Sequence, residues 1–427
     1  MDPRLRVLPG GCPAGRPVLT PMPMPDVEEI GPRDAGWEPA RALFDASLDR
    51  WPSVVWRPYT AEAARRLIRS LQGQGLPFTL KSGGHSAAGL SVADAVPMVD
   101  LSRLRAVRVD PGGRLAYVQA GALMRHLDRA AARFGLATTG GTVSHTGVVG
   151  LACGGGLGWL MGRFGLACDN IAQAQVVQGG RDLVVDESSA LMTTLRGSGT
   201  SLGFISGLVL RLHPVGQRFR WRAADLSVAE LTELLPGLSE RVQALPAEAG
   251  CALTLRSTPE GHVTGLVEVV APDDSLAAPQ WCATLATPGR WSARTLSYLE
   301  VQRHLDAEFE FGSRSYRRSL SVDAVVPACI GEVVDILRAP TPFWRTLTFD
   351  VLHGRAMAER NISSSCVPRR RYAGIAVCRW AEPTLDALGR SAGRELFAVL
   401  DAGHREANPA RYGNYSSEPA DSRYPPP

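Results

Sequence analysis

The first half of the chain alternates short apolar runs with longer amphipathic stretches. The short runs are rich in β-branched and aromatic residues and are bounded by Pro, Gly or charged residues, which predicts strands at residues 53–58, 78–81, 98–101 and 116–119. The longer stretches have apolar residues at helical spacing, which predicts helices at residues 37–48, 60–71 and 122–134. Thr60 is a suitable N-cap for the second helix, and Gly135 is suited to end the third. This alternation of strands and helices predicts an α+β domain.

The pattern changes after residue 217. Residues 251–255 and 262–270 alternate as adjacent antiparallel strands do, and further strands are predicted at 346–352 and 372–377. Helices are predicted at 328–338 and 385–401. This pattern alone indicates an α+β region. Residues 1–25, rich in Pro and Gly, are predicted to be disordered, and residues 218–370 differ in composition from the part before them.

Composition excludes several classes of protein. The 427 residues are too many for one ordinary core. The net charge of +4 is spread along the chain, so we expect no nucleic-acid partner. No apolar run could span a membrane and no signal-peptide pattern is present, so we expect a cytoplasmic protein. The eight cysteines lack zinc spacing, which predicts reduced thiols and no metal site.

Two glycine-rich stretches carry the chemistry. Residues 81–86 read Lys-Ser-Gly-Gly-His-Ser, and residues 140–159 contain eight glycines and a histidine of their own, His145. Glycine allows backbone to approach a flat, phosphate-bearing ligand closely, because no side chain holds the ligand away. Two such stretches, each with a histidine, indicate one ligand held from two sides.

Two other motifs compete with this interpretation. Gly156, Gly158 and Gly162 approach the dinucleotide-binding fingerprint, but the last spacing is one residue too long. Residues 199–203 match the Gly-x-Ser-x-Gly elbow of serine hydrolases, with His213 downstream. An elbow needs a strand before the serine and a helix after it, whereas Ser201 precedes a strand-like run.

The two stretches resemble the flavin-binding motifs of berberine bridge enzyme-like FAD-linked oxidases, in the vanillyl-alcohol oxidase / p-cresol methylhydroxylase (PCMH) superfamily. The resemblance is strong over residues 48–217 and weak at the extreme C-terminus. It implies a two-part PCMH-type FAD-binding domain at 48–217, a substrate domain with an antiparallel sheet flanked by helices at 218–370, and a segment at 371–427 that returns to the flavin. The implied reaction is oxidation of a small-molecule alcohol, sugar or secondary-metabolite intermediate, with hydride transfer to flavin N5 and reoxidation by O2.

The resemblance also assigns cofactor residues. His85 would be joined covalently to the flavin, and Lys81 would lie near the flavin phosphates. A second covalent link is not expected, because Val143 stands where some relatives have Cys. Thr146 lies near the position that admits or blocks oxygen. The remaining FAD-contacting residues implied by the resemblance are Ser82, Gly83, Gly84, Ser86, Gly141, Thr142, Gly147, Gly150, Leu151, Gly155, Gly156, Trp159, Asn170, Gly203, Ile205 and Asn414.

A base must remove a proton from the substrate while the hydride leaves, and many bacterial relatives use a tyrosine. The candidates are Tyr412, Tyr415, Tyr372 and Tyr316. Tyr412 is favoured, because in an extended segment it would share a face with Asn414. The arginines at 369–371 could lower the pKa of Tyr372. A redox-neutral cyclase or flavin-binding protein on the same scaffold remains the alternative, and we expect a monomer or homodimer.

Overall fold

In the described residues, three larger β-sheets, one two-stranded sheet and the helices between them build the fold. The computed structural model describes residues 24–285, 290–358 and 367–422. The disorder predicted for residues 1–25 therefore lies outside the described residues, except at residues 24 and 25. The strands are β1 Val27–Ile30, β2 Val55–Pro58, β3 Thr79–Lys81, β4 Met98–Asp100, β5 Val107–Asp110, β6 Leu115–Gln119, β7 Leu136–Ala137, β8 Ile171–Gln178, β9 Arg181–Asp186, β10 Phe204–Arg211, β11 His213–Pro214, β12 Phe219–Leu226, β13 Gly250–Ser257, β14 Val263–Pro272, β15 Trp291–Leu296, β16 Arg314–Val322, β17 Trp344–Val351 and β18 Tyr372–Trp380.

Most helices are short. They are α1 Trp37–Arg41, α2 Ala61–Gly73, α3 Met124–Ala132, α4 Val148–Cys153, α5 Met161–Phe164, α6 Met192–Ser198, α7 Val228–Leu234, α8 Leu238–Gln243, α9 Ala277–Cys282, α10 Tyr298–Val301, α11 Pro327–Arg338, α12 Gly354–Ala358 and α13 Asp386–Gly403. The mixture of helices and sheets confirms the predicted α+β class. The N-cap of α2 is also as predicted, since Thr60 Oγ1 accepts the Ala63 N–H at 3.1 Å.

Two smaller sheets come from the first half of the described chain. One has the order β1-β2-β4-β3, in which β4 pairs in parallel with both β2 and β3. The other is antiparallel with the order β5-β6-β10-β8-β9. The loop after β3 contains His85, so the edge of the first sheet positions this histidine.

The first helix is shorter than the pattern predicted. It ends at Arg41, and Ala42 adopts an extended conformation with ψ of 137°. The buried ammonium of Lys81 explains the early end, because Nζ donates to Ala40 O at 2.5 Å and to Ala42 O at 3.3 Å. A cation that binds the last carbonyls of a helix stabilises its C-terminus at that point.

The third sheet is antiparallel, with the order β15-β12-β14-β13-β17-β18-β16. The predicted pairing of the strands around 251–255 and 262–270 is confirmed, since β13 pairs with β14 in the register Ala252 to Glu268. Side chains alternate strictly between its two faces. Cys251, Leu253 and Leu255 point into a core that also contains buried residues of α11 and α13. The helices thus cover one face, and the opposite face of the sheet is left for the candidate site.

Candidate functional site

A cavity of about 650 Å³ lies between the glycine-rich loops and the uncovered face of the third sheet. Its loop side is formed by residues after β3, around α4 and before β10. Its sheet side carries alternate residues of five strands, namely Ala252, Thr254, Arg256, Leu266, Glu268, Arg317, Thr346, Thr348, Asp350, Ile375 and Val377. The volume is in the range of small-molecule and cofactor sites, which are mostly apolar with a few placed polar groups.

The two glycine-rich loops meet at the cavity wall. A Cβ built on Gly83 would lie 2.4 Å from Gly147 N, so only glycine permits this contact. Gly84 has a φ of +69°, which also favours glycine. Hydrogen bonds within the described residues use none of the backbone N–H groups of Gly83, Gly84, His85 and Ser86. Consecutive amides that line a cavity without internal acceptors suit an anionic or carbonyl-rich ligand.

His85 lies at the cavity wall and contacts the histidine of the second loop. Its Nε2 is 2.7 Å from His145 Nδ1, and its ring stacks on Phe44 with centroids 4.2 Å apart. Burial, with smaller contributions from His145 and Arg317, holds the pKa of His85 well below its ordinary value. The ring is therefore neutral near pH 7, and a neutral imidazole nitrogen has the lone pair that a nucleophile needs.

Most of the cofactor residues implied by the sequence come together around this cavity. The predicted residues that line it are Ser82, Gly83, Gly84, His85, Ser86, Gly141, Thr142, Val143, Thr146, Gly147, Gly150, Leu151, Trp159, Gly203, Ile205 and Asn414.

Four predicted cofactor residues lie elsewhere. Lys81 points to the end of α1 and not to the cavity. Asn170 bonds to Phe164 O and Leu166 O through Nδ2, so its side chain holds the turn before β8. Gly155 and Gly156 face protein, because a Cβ there would meet the Tyr412 ring at 2.9 Å and Ala167 at 2.4 Å respectively. At both positions glycine allows other parts of the chain to pack closely against the backbone.

The C-terminal segment returns to the cavity, but with a different tyrosine from the one expected. Tyr412 is buried, and its hydroxyl accepts hydrogen bonds from Gly156 N–H at 2.7 Å and Asn414 Nδ2 at 2.9 Å. It does not line the cavity, which corrects the prediction that it faces the substrate. The prediction assumed an extended chain, whereas Gly413–Tyr415 forms a 3₁₀ turn that directs Tyr415 to the cavity.

Tyr415 is paired with a carboxylate that the sequence analysis missed. Its hydroxyl donates to Asp350 Oδ2 at 2.9 Å, and both residues line the cavity. Burial raises the pKa of Asp350 to about 6, and burial together with Asp350 raises the pKa of Tyr415 well above its ordinary value. The available signal was the polar alternation Thr346, Thr348, Asp350 along a predicted strand, which marks one face of a sheet as facing solvent or a ligand.

The other two tyrosines do not line the cavity in the described structure. Tyr316 donates to Glu418 at 2.7 Å. Tyr372 is fully buried, and burial raises its pKa, contrary to the expected lowering by the arginine run. The run is also dispersed, since Arg369 forms a buried ion pair with Asp169 and Arg370 pairs with Asp323 at the surface.

The hydrolase motif lacks the geometry of a nucleophile elbow. Ser201 lies in the 3₁₀ turn Gly199–Leu202, which precedes β10, and its hydroxyl donates to Ser198 O at 2.7 Å. His213 contacts Asn170 Oδ1 through Nε2 at 2.6 Å and stacks on Phe164. The dinucleotide motif also fails, because the only helix that it leads into is the four-residue α5, which contains its last glycine, Gly162.

We expect Ser201→Ala to leave turnover almost unchanged. The substitution removes one exposed hydrogen bond, and such changes alter stability or binding by about 0.5 kcal/mol, which is roughly a twofold effect. The check is turnover per bound flavin in wild type and variant. A large loss of turnover at unchanged flavin content would support a nucleophilic role for Ser201.

Comparisons with known proteins agree with this geometry. Residues 52–185 match the FAD_binding_4 family, described as an FAD binding domain. The (R)-6-hydroxynicotine oxidase of Paenarthrobacter nicotinovorans is 30% identical over 222 residues, which are 50% of this chain and 48% of that protein. The xylooligosaccharide oxidase of Thermothelomyces thermophilus is 32% identical over 206 residues, 47% of this chain and 40% of that protein. These matches span about half of the curated relatives' length or less.

Solved structures extend the similarity to nearly the whole chain. The 6-hydroxy-D-nicotine oxidase of Arthrobacter nicotinovorans superposes with a TM-score of 0.82 at 24% identity, covering 94% of this chain and 91% of that one. BBE-like 1 of Physcomitrella patens gives 0.79 at 19% identity, covering 91% and 88%. No helix in the described part of the chain is long and apolar enough to cross a membrane. Residues 52–185 therefore match an FAD binding domain, and the chain shares the fold of solved proteins that include a 6-hydroxy-D-nicotine oxidase and a BBE-like protein.

Proposed function

We propose that the protein is an FAD-dependent oxidase that removes a hydride and a proton from a small-molecule alcohol, amine or sugar and passes the electrons to O2. The observation that carries the proposal is the Tyr415–Asp350 pair, which lines the cavity opposite the flavin-type loops. An acid–base pair that faces a redox-cofactor site from the other domain is the arrangement that oxidation of a hydroxyl or amine requires. The names of the relatives, oxidases of hydroxynicotine and of xylooligosaccharide, support the same chemistry.

The described residues fit FAD. The loop at 82–86 offers consecutive unbonded amides, and Gly150 leaves open space at the wall, since a Cβ there would meet nothing within 4 Å. These loops, with residues 141–147, Gly203, Ile205 and Asn414, would hold the cofactor, and His85 would bind it covalently. When bound, FAD supplies the hydride acceptor and the site of reoxidation by O2.

Tyr415 and Asp350 would move the proton together. The high pKa of Tyr415 means that the phenol is not ionised near pH 7. It can take a proton from the substrate only as its own proton passes to Asp350, to which it already donates a hydrogen bond. Asp350 must be ionised to receive that proton. The apolar wall formed by Leu266, Ile375 and Val377 limits the water that could compete for the substrate.

Because Asp350 must be ionised to receive the proton, the rate of flavin reduction should depend on pH. Burial raises the pKa of Asp350 to about 6, so the carboxylate is ionised above that pH and protonated below it. We expect the rate of flavin reduction to be constant above about pH 7 and to fall about tenfold for each pH unit below about 6. Anaerobic stopped-flow reduction across pH 5–8 measures this, and Asp350→Asn should abolish the acid limb. A rate that is unchanged between pH 5 and 8 would contradict a role for Asp350.

The function itself is tested by anaerobic reduction of the purified yellow protein with panels of alcohols, amines and sugars, followed by admission of air. An oxidase bleaches with substrate and then releases one peroxide per product. Conversion of a substrate without bleaching or peroxide would instead indicate a redox-neutral enzyme on the same scaffold.

A further inference from the structure

On the sheet face of the cavity, residues that pair across neighbouring strands form rows, and charged and uncharged residues lie in different rows. Ala252 pairs across β13 with Glu268 on one side and with Asp350 on the other. The next row along the strands, which includes Thr254 and Thr348, is uncharged. Two carboxylates therefore flank one alanine, about 10 Å apart as set by two strand spacings. The small methyl group of Ala252 leaves the space between them open to the cavity.

Glu268 is held in place by groups behind it. Its Oε1 accepts from Trp221 Nε1 at 3.1 Å and is 3.0 Å from His304 Nε2. The side chain is only 9% exposed, and it lines the cavity. Its other oxygen, Oε2, makes no hydrogen bond with the described residues. A carboxylate that is 91% buried and fixed through one oxygen presents the second to whatever fills the cavity.

Asp350 repeats this arrangement on the other side of Ala252. Oδ2 accepts from Tyr415, and Oδ1 makes no hydrogen bond with the described part of the chain. Among the described cavity-lining residues, the cation Arg256 pairs with Asp225 and the cation Arg317 bonds to Ser315. His85 is neutral and contacts His145. Two acceptor oxygens thus face one buried space without a cation from the cavity wall.

We propose that Glu268 is a specificity-determining residue which, with Asp350, binds a basic nitrogen of the substrate, so that the protein acts on amines in preference to alcohols and sugars. A buried carboxylate is stabilised by a cation far more than by a neutral hydroxyl, because the cation offsets the cost of burying the charge. The row of two carboxylates therefore favours an ammonium group. The reaction in this proposal rests on the oxidase activity proposed above. The binding test does not require that activity.

The test compares two probes that differ in one atom, 2-phenylethylamine and 2-phenylethanol, by equilibrium dialysis against the flavin-loaded protein. At about pH 8 the alkylamine is protonated and Asp350, whose pKa is about 6, is ionised. The wild type should bind the amine at least about tenfold more tightly than the alcohol, the effect of one charged hydrogen bond. Equal binding, or tighter binding of the alcohol, would overturn the proposal and indicate a hydroxyl-bearing substrate.

Glu268→Gln keeps an acceptor for Trp221 and His304 but removes the charge, and it should abolish the preference for the amine. Glu308→Gln is the matched control, since Glu308 also lines the cavity but lies beside Arg379, and it should keep the preference. Survival of the full preference in Glu268→Gln would refute the assignment. If that variant does not fold, Glu268→Asp, which retains the charge, should retain the preference. Dialysis needs no turnover, so a protein that binds the amine without releasing peroxide would contradict the oxidase and not this site.

Discussion

Replacing Tyr415 by Phe should lower the rate of flavin reduction by the true substrate by roughly 10²–10⁴-fold, the usual contribution of a positioned acid–base group. The substitution removes only the hydroxyl that donates to Asp350 at 2.9 Å. The ring, which packs edge-on against Tyr412 with centroids 4.9 Å apart, is kept. The flavin spectrum should therefore be unchanged. Anaerobic stopped-flow measurement separates this step from reoxidation by O2.

Tyr412→Phe is the matched control from the same segment. Its hydroxyl accepts hydrogen bonds from Gly156 and Asn414 and does not face the cavity. We expect its loss to reduce the free energy of unfolding by about 1–2 kcal/mol, because a buried N–H loses its acceptor, and to leave flavin reduction close to that of the wild type. If Tyr412→Phe stopped reduction and Tyr415→Phe did not, the two roles would be reversed.

The contrast between these tyrosines shows how far the sequence could lead. The spacing of Tyr412 and Asn414 correctly drew attention to the segment. The direction of Tyr412 could not be foreseen, because its hydroxyl accepts from Gly156, 256 residues earlier in the chain. Local periodicity carries no information about a partner so distant in sequence. The same limit hid Asp350, whose importance arises only when Tyr415 is placed beside it.

Lys81 is a case in which the sequence drew attention to the right kind of residue but could not show where its side chain points. As the only lysine in the chain, next to the glycine-rich loop, it suggested a phosphate partner. The structure uses its buried ammonium to bind the carbonyls of Ala40 and Ala42 instead. Both roles need a cation close to the loop, and only the direction of the side chain separates them. By contrast, four strands of the third sheet, β13, β14, β17 and β18, were predicted, because their alternation reflects the two faces of the sheet directly. Its other three strands, β12, β15 and β16, were not predicted.

His85→Ala should abolish covalent attachment of the flavin completely while the protein still folds and binds FAD reversibly. His85 lines the cavity, its neutral ring has a lone pair, and the contact with His145 Nδ1 orients it. Acid precipitation followed by peptide mass spectrometry measures the attachment: wild type should give a yellow pellet and one flavin adduct, on the peptide that contains His85. A single adduct is expected because Val143, at the cavity wall, cannot form a second link.

The control for this experiment is His213→Ala, which removes another partly buried histidine that contacts Asn170 and does not line the cavity. We expect it to lose some stability and to keep the covalent flavin. Reversible binding in His85→Ala follows because the amides of the loop at 82–86 and the facing loop at 141–147 remain in place. A wild-type protein that releases all its flavin on acid precipitation would contradict the covalent link. It would leave His85 as a wall residue whose ring only packs between Phe44 and His145.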